Sequence, residues 1–66
     1  MVDIYIEGLG WCKGQRQRVM HGEYYQWTLI HATATVTGDY SIDNTTALDN
    51  AIKELLKRHN QQQKEK

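Results

Sequence analysis

The sequence has no proline, no phenylalanine and a single cysteine, and its formal net charge is zero. Each shortage removes a class of protein. One thiol, Cys12, cannot make an internal disulfide, so a disulfide-stapled secreted scaffold is excluded and a reducing, cytoplasmic compartment is expected. No apolar run nears the roughly 18 residues of a membrane-spanning helix. The opening MVDIYIEG carries acids and no basic residue, so it does not read as a secretory signal. Metal-ligand spacings are missing too. Cys12, His21, His31 and His59 form no CxxC, HxxxH or HExxH pattern, and no metal or other cofactor is expected. The 66 residues make one small domain, whose core gives about 3–5 kcal/mol of net stability. With no disulfide and no metal, self-association or a partner remains as the stabiliser.

What is present is patterned. Asp3 and Glu7 give the first ten residues a charge of −2, and Lys13, Arg16 and Arg18 give 11–22 a charge of +3. Residues 23–52 carry Glu23, Asp39, Asp43 and Asp49 for −4, and 53–66 return to +3. Such segregation favours oriented association with a charged partner.

Val2, Ile4 and Ile6 alternate with Asp3, Tyr5 and Glu7, the period of a strand with one buried face. Gly8, Gly10 and Gly14 then mark a loop holding Trp11 and Cys12. Residues 15–21 read as a second strand, charged in the manner of an edge. Residues 24–37, rich in aromatic and β-branched types, predict one long third strand. On it Ile30, Ala32, Ala34 and Val36 share a face, and Trp27, Leu29, His31, Thr33 and Thr35 share the other. The small apolar set is expected to meet a helix. That helix is the strongest signal: Thr45 or Thr46 as cap, Asp43 and Asp49 at the positive end of the dipole, and Leu48, Ala51, Ile52, Leu55, Leu56 and His59 on one stripe. Residues 60–66, NQQQKEK, have no apolar anchor and predict a disordered tail. The expected fold is α+β: one domain over 1–59, with a three-stranded antiparallel sheet packed on one C-terminal amphipathic helix, in the order β-β-β-α.

Chemistry-bearing residues are sparse. Cys12 beside Lys13 is a candidate for a lowered thiol pKa, but a nucleophile needs a placed base, and nothing local positions His21 or His31. The stretch GLGWCKG follows a strand yet opens no helix, so it lacks the helix N-terminus that binds phosphate. Glu7 and Asp49 would meet only if the helix crossed the sheet suitably, and two carboxylates make a thin metal site.

The segments IYIEG at 4–8 and DNTTALDNAIKELLKR at 43–58 resemble the start of the ribonuclease H fold. There a first strand ends in an acid followed by glycine, two antiparallel strands follow, and a Thr/Asn-rich turn opens a helix with the next carboxylate. The resemblance spans the first half of that domain. It implies a three-stranded sheet with a helix, and it puts Glu7 where the family has Asp, with Asp49 nearest to the helical acid. Those departures imply no nuclease activity.

An aromatic and basic surface therefore carries the functional expectation: a non-catalytic protein-binding module, an inhibitor or adaptor, acting as a homo-oligomer. Its expected site is Tyr5, Arg16, Arg18, Tyr25, Trp27, Leu29 and His31 on one open sheet face, since Trp, Tyr and Arg dominate protein interfaces. The alternative is a nucleic-acid binder using the same face with Arg16 and Arg18, which the zero net charge opposes.

Overall fold

The structure, a computed structural model, describes residues 1–32 and 34–64; Thr33 and residues 65–66 lie outside it. Four strands and one helix follow in chain order: β1 Val2–Ile6, β2 Gly10–Val19, β3 Tyr24–Ile30, β4 Thr35–Thr37 and α1 Asn44–Lys64. The strands form one antiparallel sheet in the order β1-β2-β3-β4, and α1 packs across β3 and β4. The α+β arrangement of an antiparallel sheet on one C-terminal helix is as the sequence predicts, with four strands in place of three.

The extra strand comes from a turn inside the expected long one. His31 N donates to the Ala34 carbonyl at 2.9 Å and Ala34 N donates to the His31 carbonyl at 3.2 Å. This closes a hairpin in which Leu29 pairs with Val36. A side-chain parity counted straight through residues 24–37 is therefore inverted after the turn. Val36 is buried on the same face as Leu29, whereas Ile30 points to the other. The β2 strand also differs from expectation. It starts at Gly10 rather than residue 15, and Trp11 and Cys12 belong to it. Beyond β4 the chain gains one residue on β3. Gly38 N reaches the Trp27 carbonyl, and Ser41 then pairs with Tyr25, a bulge that steers the chain toward the helix.

Helix placement corrects the sheet-face assignment. The core consists of Ile6, Cys12, Trp27, Leu29, Val36, Ala47, Ala51 and Leu55. Trp27 and Leu29 thus lie beneath α1 together with Val36; of the face expected to meet the helix, Val36 is core and Ala34 packs against it, whereas Ile30 lies on the other side of the sheet and Ala32 is exposed. The cause is space. A Cβ built on Gly38 would stand 2.5 Å from Ala51 Cα, so the helix backbone rests directly on β4's end. On the helix, Ala47, Ala51 and Leu55 are fully buried at a spacing of four. A second glycine, Gly14, leaves room on the sheet for Ile4 and the Trp27 ring. Trp27 Nε1 donates to Asn44 Oδ1 at 3.0 Å, which satisfies the one polar atom of the buried indole.

Asp43, rather than Thr45 or Thr46, caps α1. Its carboxylate accepts from Thr46 N at 2.9 Å and from Thr46 Oγ1 at 3.0 Å. At the other end the helix runs through Asn60 to Lys64, and residues 65–66 of the expected 60–66 tail lie outside the described residues. No Gly or Pro stops it, and Gln and Lys propagate helix well.

Gly38→Ala is expected to destabilise the fold by about 2–3 kcal/mol, because the added methyl meets helix backbone rather than a flexible side chain. Urea unfolding measures this, with exposed Gln15→Ala as a control expected to stay within about 0.5 kcal/mol.

Candidate functional site

The two sheet faces have different fates. Antiparallel registers place Ile4, Cys12, Gly14, Arg16, Arg18, Tyr25, Trp27, Leu29 and Val36 on the helix side. Asp3, Tyr5, Trp11, Lys13, Gln17, Gln26, Thr28, Ile30 and Thr37 fall on the side that, among the described residues, no element covers. The seven expected site residues are therefore divided. Tyr5 is alone on the open face. Trp27 and Leu29 are buried in the core beneath α1. His31 is half-buried, its Nε2 3.0 Å from the Leu9 carbonyl oxygen. A carbonyl only accepts, so Nε2 donates and ties the β1–β2 turn to the end of β3.

Arg16, Arg18 and Tyr25 are the part of the expected site that does come together. Both guanidinium carbons stand 5.4 Å from the Tyr25 ring centroid. Arg18 Nη2 also donates to Tyr25 Oη at 3.4 Å. Among the described residues, no carboxylate pairs with either arginine: the ion pairs are Lys13–Asp3 and Lys53–Asp49.

On the open face the main feature is a pair the sequence reading left split between a strand and a loop. Tyr5 and Trp11 are cross-strand partners whose rings meet edge to face, 5.4 Å between centroids. They are nonetheless 60% and 68% exposed. Beside them is a shallow depression of about 340 Å³ lined by Asp3, Trp11, Cys12, Lys13 and Ile30. The Lys13–Asp3 ion pair is part of that lining. Polar cross-strand pairs fill the middle of the face: Gln17 Nε2 donates to Gln26 Oε1, and the hydroxyls of Thr28 and Thr37 share a bond. Tyr24 and Tyr40 form a second edge-to-face pair, 5.3 Å between centroids, at the far end. A usable signal for Trp11 lies in the run W-C-K-G at 11–14, where bulky and small residues alternate with strand period. The surrounding glycines masked it.

The candidate lowering of the Cys12 pKa by Lys13 does not hold. Cys12 is buried under the helix side, and burial pushes its pKa above the usual 9.0. Lys13 faces the opposite side of the sheet and is held by Asp3. Glu7 is exposed in the β1–β2 turn, and Asp49 is exposed on α1 with Lys53 as its partner. Among the described residues no three of His, Cys, Asp and Glu converge.

No protein family, curated protein or solved structure matches the chain.

The raised thiol pKa has a signed consequence. The folded state keeps its Cys12 proton more tightly than the unfolded chain, so this contribution is complete below pH 9 and is lost as pH climbs past the unfolded value. Urea midpoints are expected to fall as pH rises above the unfolded value of 9.0, and to fall less in Cys12→Ala. Equal slopes in the two proteins would refute the effect.

Proposed function

We propose that the chain is a small non-catalytic protein-binding module, an adaptor or inhibitor, that docks through its helix-free sheet face, with a second copy of itself as first partner. The observation that carries this reading is the exposed Tyr5–Trp11 pair. Two large rings held edge to face are already ordered, so little side-chain entropy is lost when a partner covers them. The adjoining depression offers a socket for one partner side chain, with the Lys13–Asp3 ion pair in its lining.

The β1 strand adjoins the same corner and is a sheet edge. If β1 of a second copy paired antiparallel with it, one sheet would run through both copies and bring the two Tyr5–Trp11 pairs onto one continuous face. Such pairing would supply the stabilisation that so small a core leaves wanting. A lone unpaired thiol agrees with action in a reducing, cytoplasmic setting.

The nucleic-acid reading has less support. It needs bare aromatic rings next to basic groups. Here Arg16 and Arg18 are on the opposite side from Tyr5 and Trp11, and the ring they adjoin, Tyr25, is occupied by both of them.

Sedimentation at low micromolar concentration is expected to show a dimer that the double variant Tyr5→Ser, Trp11→Lys converts to monomer with unchanged far-ultraviolet circular dichroism. A wild-type protein that stays monomeric would remove self-association from the proposal.

A further inference from the structure

The β2 strand is twice as long as its outer neighbour, and the difference exposes a length of unpaired backbone. β1 covers β2 only from Gly10 to Gly14. From Gln15 to Val19, β2 is bonded to β3 on one side and, among the described residues, has no strand on the other. The direction of the free groups follows from β3. Tyr25 N and O both bond Ser41, and the Trp27 carbonyl accepts from Gly38 N. Tyr25 and Trp27 thus turn their main chains away from β2. In an antiparallel ladder their partners must do the same. Those partners are Arg18 and Arg16. The two residues whose amides and carbonyls face outward are therefore the two arginines, and both their side chains are exposed and without a carboxylate.

We infer that this outer edge of β2 accepts an acidic, extended segment of another protein by strand addition. A strand laid along Gln15–Val19 bonds the free groups of Arg16 and Arg18, and its residues opposite them project to the helix side. Acids at those two alternate positions meet the guanidinium groups as direct cross-strand pairs. Tyr25 holds both guanidiniums in place beforehand. The end of the added strand abuts a recess of about 460 Å³ lined by Met1, Val2, Gly14, Gln15, Arg16 and Trp27, at the point where β1 stops.

Charge selects the occupant. A second copy pairing through the same edge would set arginine against arginine, which is the usual way a charged edge refuses its own kind. An acidic strand meets no such penalty. This surface is separate from the Tyr5–Trp11 face, and either can fail without the other.

The test uses the full chain, ¹⁵N-labelled, and a blocked peptide of alternating threonine and glutamate, about six residues long. The expected result is that the Arg16 and Arg18 amides shift most and exchange more slowly with solvent. Arg16→Glu with Arg18→Glu weakens binding roughly tenfold or more, while Arg16→Lys with Arg18→Lys retains most of it. The inference is overturned if the peptide leaves those amides unchanged, if a threonine–lysine peptide binds equally well, or if the shifts gather at Tyr5, Trp11 and Ile30. A single-stranded oligothymidylate that moves the guanidinium signals more strongly than the peptide, without slowing amide exchange, would also overturn it by assigning the patch to phosphate.

Discussion

The fold depends on how closely α1 approaches the end of β4. At Gly38 the helix backbone occupies the place where any other residue would carry its side chain. Ala47 and Ala51 supply the matching smallness on the helix. Interiors pack at crystal-like density, so this contact fixes the height and the side of the helix together. With α1 seated there, Trp27, Leu29 and Val36 are covered, the indole finds Asn44, and the thiol of Cys12 is enclosed. The same seating leaves the other sheet face without a second layer.

The sequence made some of this legible and hid the rest for identifiable reasons. Helical spacing from Leu48 to His59 and strand alternation from Val2 to Ile6 are local signals, and both elements form where those signals lie. The α+β class follows from them. The side of the sheet that meets the helix is not local. It hinges on the His31–Ala34 turn, which carries neither glycine nor proline, and one missed turn inverts every later assignment of inside and outside. Small residues do mark the helix contact, but at Gly38 and at Ala47 and Ala51 on the helix, while Ala32 stays exposed.

The candidate surface was legible as a composition and not as a place. Aromatic and basic residues do gather, though in two separate groups. Tyr5 and Trp11 share the bare face because Tyr5 and Trp11 pair across a three-residue turn. Arg16 and Arg18 go to the helix side with Tyr25, past the point where β1 ends. A list of exposed-looking residue types merges these groups; the register separates them. Zero net charge likewise conceals a basic edge and a paired Lys13.

Strand order identical to chain order also governs how the molecule comes together. Each strand pairs with the one synthesised just before it, across connections of three to four residues, so no long loop must close before a contact forms. Low contact order of this kind goes with rapid folding for a mixed α/β domain. The helix, last in the chain, meets β3 and β4, the strands nearest to it in sequence. Assembly can thus proceed from the N-terminus outward, with the final segment sealing a sheet that is already in register.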